Sequence, residues 1–260
     1  MVAKIDRTGE VNYNKFGSKM EIIEYRMNRD IDVYFPEYNW ITKNSAYKEF
    51  KNGSIICPYE KRYFGVGYLG EGKYKTRENG KSTKCYYTWI HMLERCYSEK
   101  YKNKYSTYEG CIVCEEWLNF QNFAKWFYEN YYEIEGERIE LDKDILIKGN
   151  KVYSPNTCVF VPQRINSLFI KCNKNRGAYP VGVSYHKKNN KYVASCRVVN
   201  FKLNKSKDKY LGSYNTLEEA FKVYKQFKEK YIKVVADLYK DKIPQKLYDA
   251  MYNYKVEITD

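Results

Sequence analysis

Leu141-Asp142-Lys143-Asp144-Ile145, then Gly149-Asn150-Lys151-Val152-Tyr153-Ser154-Pro155-Asn156-Thr157-Cys158, closed by Asn166, is the stretch on which the fold turns. It opens strand-like, becomes rich in turn formers and ends helical. Its polar positions are acids and amides. The surroundings predict an α+β chain. A small β-rich module spans 1–75, and a helical centre containing this ββα stretch spans 85–170. A three-stranded antiparallel sheet with one long helix spans 179–240, and 241–260 is a tail.

The bulk numbers bound the function. The chain has 260 residues, a net charge of +14 and a pI near 9.2, with 30% charged residues. So basic a balance points to a polyanion, nucleic acid ahead of an acidic membrane. Lys, Tyr, Asn and Ile are all abundant, as an AT-rich genome also supplies them. The 30 tyrosines suit half-buried rims, where the ring packs and the hydroxyl stays wet. No apolar run approaches the roughly 18 residues of a membrane span. Met1-Val2-Ala3-Lys4-Ile5-Asp6 has no apolar signal region. A soluble, intracellular protein is expected, and in that compartment the eight cysteines are metal ligands or core rather than disulfides. That the chain has only His91 and His186 argues strongly against a His-rich metal centre or a Ser-His-Asp triad.

Working upstream, Met20–Arg26 and Ile31–Phe35 fit two strands around an Asn28-Arg29-Asp30 turn. Ala46–Ile55 reads as a short helical or extended piece. Gly65, Gly67, Gly70 and Gly72 lack a Walker lysine and form a turn connector rather than a phosphate loop, and 73–84 is a boundary loop. Trp89, Met92, Leu93 and Cys96 mark one helical face. Trp117, Phe120, Phe123, Ala124, Phe127 and Tyr131 mark a second. His91 is read as structural. Cys111 and Cys114 have zinc-like spacing, which Cys96 and Cys158 would complete to four sulfurs; the plain alternative is core thiols.

The ordered series Tyr87-x-Trp89, Met92-Leu93-x-Arg95-Cys96-Tyr97, Gly110-Cys111-Ile112-Val113-Cys114-Glu115-Glu116-Trp117, Phe120, Phe123, Leu141-Asp142-Lys143, Tyr153-Ser154-Pro155-Asn156-x-Cys158 and Asn166 resembles phage and bacterial HNH-type (ββα-metal) homing endonucleases. The resemblance covers about 85–170. It implies one divalent cation, Mg²⁺ or Mn²⁺, held by Asp142 and Asn166 on the scissile phosphate, with Asn156 tying the loop. It also implies a histidine base at position 143, where this chain has Lys143. An ordinary lysine, with a pKa of about 10.4, is protonated at neutral pH. Lys143 then orients water or neutralises charge, another group acts as base, or the finger binds without cutting. The plain alternatives are a strand-end acid at Asp142 and a helix cap or loop clamp at Asn166. Residues 16–72 weakly resemble a β-rich module found beside such fingers.

Downstream, Lys171–Pro180 reads as a linker. Val181–His186, Lys191–Val198 and Lys209–Tyr214 read as three strands, joined at Asn189-Asn190 and at the polar run Asn204–Asp208. A helix opens at a Thr216/Glu219 capping box, with Ala220, Phe221, Tyr224, Phe227, Tyr231, Val234, Val235 and Leu238 as its apolar face. Gly182-Val183, Tyr192-x-Ala194 and Leu211-Gly212-x-Tyr214-x-Thr216-x-Glu218-Glu219-Ala220 are similar to the Apetala-type (ethylene-response) DNA-binding domain. That resemblance implies a sheet face in the major groove of double-stranded DNA. Ser184, His186, Ser195, Arg197 and Tyr210 would face the DNA, with Arg197 on a guanine edge. Lys187, Lys188, Lys191 and Lys209 would meet phosphates; the alternative for these is solvated turn lysines.

Taken together, the resemblances imply a phage-encoded homing endonuclease acting in the bacterial cytoplasm. The alternative is a DNA-binding regulator or counter-defence factor derived from one. A third reading is an RNA- or protein-binding module that uses the tyrosine-rich surface.

Overall fold

The computed structural model describes residues 5–169, 179–200 and 205–260. The chain divides into two compact units: Met1–Tyr131 with Lys151–Asn156, and Tyr132–Asn150 with Thr157–Asp260. This division cuts through the segment that the sequence marks as one domain over 85–170.

In the first unit, β1 (Val11–Tyr13), β2 (Lys19–Met27), β3 (Asp30–Phe35) and β4 (Trp40–Ser45) form an antiparallel sheet in sequence order. Alternation puts Met20, Ile22, Ile31, Val33 and Phe35 into one core with Phe50 of α1 (Tyr47–Lys51). The boundary loop contains a small hairpin, β5 (Arg77–Glu78) with β6 (Lys81–Ser82). Thr83 Oγ1 then accepts from Tyr86 N at 3.2 Å and caps α2 (Lys84–Tyr97). After α3 (Glu99–Lys104) and β7 (Ile112–Val113), the single helix expected from the 117–131 spacing is broken into α4 (Glu115–Leu118) and α5 (Phe120–Asn130). The cause is Asn119, which is extended and caps α5 by accepting from Gln121 N at 2.9 Å. At the break, Tyr68 N donates to Leu118 O and Phe120 N to Tyr68 O, each at 2.9 Å. Gly70 lies so close that a Cβ would overlap the Asn119 side chain. Gly67 and Gly72 are hemmed in likewise, whereas Gly65 meets nothing within 4 Å and serves its left-handed backbone. Trp89, Trp117, Phe120 and Phe123 are fully buried. Each contributes about 2–3 kcal/mol.

The chain next lays down β8 (Ile139–Asp142) in the second unit and β9 (Val152–Tyr153) in the first, where β9 pairs in parallel with β7. In the second unit, β10 (Val159–Pro162) pairs antiparallel with β8 and leads into the single turn of α6 (Gln163–Asn166). The strand–strand–helix order is thus present. The sheet of β11 (Val183–His186), β12 (Lys191–Asn200) and β13 (Lys205–Tyr214) is antiparallel in that order. Lys205–Asp208, expected in a turn, pairs with Asn200–Arg197. Asn204 and the linker residues 171–178 lie outside the described residues.

The 23-residue α7 (Leu217–Tyr239) serves two cores. Its first half, through Ala220, Phe221 and Tyr224, covers the sheet residues Val183, Ala194 and Cys196. Its second half, through Ile232, Val235, Ala236 and Tyr239, packs with Val159, Val161 and Ile165 of the ββα element. Val234 and Leu238, expected on the apolar face, are exposed. Residues 241–260 are no tail: α8 (Gln245–Asn253) buries Leu247 and Met251 in the same core. Asp260 accepts from Lys148 Nζ at 2.7 Å. Among the described residues no helix is long and apolar enough to cross a membrane.

Candidate functional site

Along β8 the side chains alternate. Leu141 is buried, whereas Glu140 and Asp142 are half-buried and share the opposite face. Asp142 stands opposite Val159 at the end of the ladder. Its Oδ1 accepts from Asp144 N at 2.8 Å and from Ile145 N at 2.7 Å, closing an Asx turn. Burial pushes the Asp142 carboxyl above the ordinary range, although the two amide bonds oppose the shift. Lys143, where the resemblance implies the base, is only 5% exposed. Its ammonium donates to Asp144 Oδ1 at 2.6 Å and to Asn150 O at 2.8 Å. Asn150 Nδ2 returns a bond to Lys143 O at 2.9 Å. Lys143 and Asn150 clamp the loop between them, and the ammonium is engaged in that clamp rather than poised for proton transfer. The loop-tying role expected of Asn156 falls to Asn150. Asn156 lies in the first unit, is exposed, and makes no side-chain hydrogen bond among the described residues.

Asn166 ends α6 and is not bonded to Asp142. Its Nδ2 donates to Glu140 Oε2 at 3.2 Å, two residues back along the strand from Asp142. Arg138 Nε reaches the other Glu140 oxygen at 3.3 Å. A cavity of about 320 Å³ opens here, lined by Glu140, Gln163, Arg164, Asn166 and Ser167. The carboxylates of Glu140 and Asp142 and the amide oxygen of Asn166 are hard donors. One or two carboxylates beside a substrate phosphate suit Mg²⁺ or Mn²⁺, so this donor set fits such an ion.

Zinc fits less well. Cys96, Cys111 and Cys114 lie in the first unit and Cys158 in the second. Among the described residues no three His, Cys, Asp or Glu side chains gather as a structural zinc site requires. Burial pushes the Cys114 thiol up, away from the thiolate that zinc binds. Cys96, Cys111 and Cys158 are buried. His91 is exposed, stacked on Tyr87 and 3.2 Å from Glu94.

The C-terminal sheet is better formed. Gly182 has a φ of +77°, and a Cβ would overlap the Tyr224 ring, so only glycine lets β11 start tight against α7. Strand register sorts the outer face into rows: His186 beside Lys191, Ser184 beside Val193 and Ser213, Ser195 beside Tyr210, and Arg197 beside Asp208. Ser184, His186, Arg197 and Tyr210 are exposed, and Ser195 is half-buried. Lys187 and Lys188 are exposed in the turn after β11. Arg197 donates from Nε and Nη2 to Ser206 Oγ at 3.1 and 2.9 Å, which fixes its guanidinium on this face. Lys191 is drawn to Asn215 Oδ1.

No protein family, curated protein or solved structure matches this chain. The geometry stands alone.

Lys209 departs from expectation. It pairs with Cys196 on the helix side, and its ammonium lies 4.8 Å from the Phe227 ring centroid. Sequence reasoning also missed Glu140, Asn150 and Asp208. Glu140 was accessible through strand alternation two residues before Asp142. Asp208 was hidden by reading its segment as a turn.

Proposed function

We propose that the protein binds double-stranded DNA through the outer face of the β11–β12–β13 sheet. The observation that carries this reading is the solvent-facing array of His186, Lys187, Lys188, Arg197 and Tyr210 on a sheet backed by one helix. Charge supports it. Residues 179–240 hold fourteen lysines and arginines against five carboxylates, enough to displace condensed counterions from a duplex. Ser184, Ser195 and Arg197 offer hydrogen bonds to base edges, and the turn lysines offer phosphate contacts. Asp208, opposite Arg197, opposes phosphate at that row and favours contact with a base. Fluorescence anisotropy with a labelled duplex at several salt concentrations tests the reading. Binding that weakens steeply with salt, and that loses part of its salt slope in Lys187→Gln/Lys188→Gln, is the expected result. Absence of duplex binding at low salt refutes it.

A second reading is favoured by Glu140 and Asn166 meeting at the ββα element, with Asp142 two residues along the same strand: hydrolysis of a DNA phosphodiester in a phage-encoded homing endonuclease. Those three side chains would hold a divalent cation, which when bound supplies charge stabilisation at the phosphate. Lys143 contributes no base, because its ammonium is committed to Asp144 and Asn150. Asp142 orders the loop, and Asn166 positions the Glu140 carboxylate. Cleavage with Mg²⁺ or Mn²⁺ that both Asp142→Ala and Glu140→Gln abolish is the expected result. Cleavage unaffected by both, or none with any divalent ion, leaves the DNA-binding regulator.

A further inference from the structure

A second cavity, of about 570 Å³, lies in the second unit beside β12. β11 begins at Val183, opposite Ala194, so the far half of β12 has an open edge. Ser195 N still donates to Gly182 O at 2.9 Å. Farther along, the Tyr231 hydroxyl donates to Val199 O at 3.3 Å and accepts from Val199 N at 2.7 Å. Strand alternation turns the N–H and C=O of Arg197, midway between them, to the same open side. They face the cavity, to which Ser195, Arg197 and Val199 all contribute.

The other walls carry two kinds of surface. Leu168, Phe169, Val181 and Tyr254 are apolar or aromatic, with the Phe169 and Tyr254 rings 4.7 Å apart and edge to face. Lys228, on α7, lines the cavity as a cation with no carboxylate paired to it among the described residues, its recorded electrostatic neighbour being the buried Cys196 thiol. Burial pushes its ammonium below the usual lysine range, and an anion placed beside it would reverse that shift. Arg197 Nη1 has no hydrogen-bond partner among the described residues, Nε and Nη2 being bonded to Ser206. Of the two carboxylates in the lining, Asp260 is neutralised by Lys148. Asp208 stays at the exposed rim opposite Arg197.

We propose that this cavity is a binding site for a free nucleotide, with the phosphate held by Lys228 and Arg197 and the base lodged against Phe169 and Tyr254. The volume is far larger than a bare phosphate needs and lies within the roughly 300–1,000 Å³ of small-molecule sites. The backbone of Arg197 supplies its N–H as a donor and, beside the bond its C=O already accepts from Cys196 Sγ at 3.7 Å, a second carbonyl lone pair as an acceptor for a base edge. The aromatic wall gives the base a surface to pack on. The cavity shares Ser195, Arg197 and Asp208 with the DNA-facing rows of the sheet, whereas Lys228, Phe169 and Tyr254 belong to it alone.

The test is calorimetric titration of the full-length protein with AMP, GMP, CMP and TMP, and with adenosine and inorganic phosphate as the two halves of the ligand. At least one monophosphate saturates with a Kd at or below about 1 mM, and each half binds at least about tenfold more weakly. Losing one charge-assisted bond is worth roughly tenfold or more. Lys228→Met, which keeps the apolar stem, therefore weakens binding by about that factor, while Lys228→Arg stays within about threefold. Melting curves show whether each variant is folded. If Lys228→Met is not, Arg197→Gln at the exposed rim serves, with an expected loss of about fivefold. The proposal is overturned if no monophosphate saturates, if phosphate alone binds as tightly, or if the folded variant binds like wild type. Duplex binding measured on the same Lys228→Met protein separates the two sites: it stays unchanged whether or not nucleotide binding is lost.

Discussion

Replacing Lys143 with methionine keeps most of the side-chain volume and removes the ammonium, so the consequence follows from what the ammonium touches. Asp144 has a side chain 53% exposed and returns to water when released. Such a pair contributes at most about 1 kcal/mol. The half-buried Asn150 carbonyl loses a charge-assisted bond from Lys143, 2.8 Å long, a loss of about 1–3 kcal/mol. The expected net loss is about 1–3 kcal/mol for Lys143→Met. It is somewhat larger for Lys143→His, whose ring cannot reach Asn150 and leaves a void. Trp40, Trp89, Trp117 and Trp126 all lie in the first unit, so tryptophan fluorescence is blind to this change. Amide hydrogen exchange over 139–150 is the suitable assay. The amides of Asp144 and Ile145, held by Asp142, should exchange roughly 5–150-fold faster as the loop opens more often. Exchange within twofold of wild type would refute the clamp. So would divalent-dependent DNA cleavage gained by Lys143→His, because the clamp leaves position 143 turned away from solvent.

Asp142→Asn keeps an oxygen for the two loop amides and removes a carboxyl that burial has pushed up. A raised acid contributes its stability below the ordinary carboxylate pKa of about 4 and loses it as pH rises through the folded value. The variant should therefore melt at or above the wild-type temperature at neutral pH, with the advantage vanishing toward pH 4; a constant difference across that range would count against it. Gly182→Ala should cost about 2–4 kcal/mol, from a left-handed backbone and overlap with Tyr224, read as a lower denaturation midpoint of the second unit. Leu247→Ala, in fully buried α8 packing, should cost about 2–5 kcal/mol. A silent change there would restore the idea of a dispensable tail. Arg197→Ala should lower duplex affinity by about 1–3 kcal/mol and relax base preference at one position, measured by anisotropy against a panel of single-base variants.

Periodicity made β2, β3, α2, α7 and the C-terminal sheet legible, because each buries one face and so carries a repeat of two or 3.6 residues. The same reasoning failed where a neighbour distant in sequence intervened. Asn119 breaks a helix that the aromatic spacing continues, because Tyr68 takes up the backbone groups at the break. Lys205–Asp208 looks like a turn because nearly every side chain is polar, yet these residues form a ribbon with both faces wet. Such a strand has no hydrophobic alternation to read. The candidate site was half legible. Motif order pointed to Asp142 and Asn166, whereas Glu140 and Asn150 needed the register of β8 and the path of the loop.

α7 makes the strongest link between the two readings of function. A helix of 23 residues spans about 35 Å, and its second half is spent on β10 and α6 rather than on the sheet. The apolar stripe changes partner along its length. Val183, Ala194 and Cys196 meet Ala220 and Phe221, whereas Val159, Val161 and Ile165 meet Ile232, Val235 and Ala236. The sheet proposed to dock on DNA is thereby joined through one continuous helix to the element carrying Glu140, Asp142 and Asn166, each half of α7 serving its own core. Inserting three residues after Phe227 should rotate one half of the stripe by about 300° against the other. The sheet would keep Ala220, Phe221 and Tyr224, while β10 and α6 would lose their cover. Duplex binding should survive that insertion. Any divalent-dependent cleavage should not, and equal loss of both would show that the two halves fold as one indivisible unit.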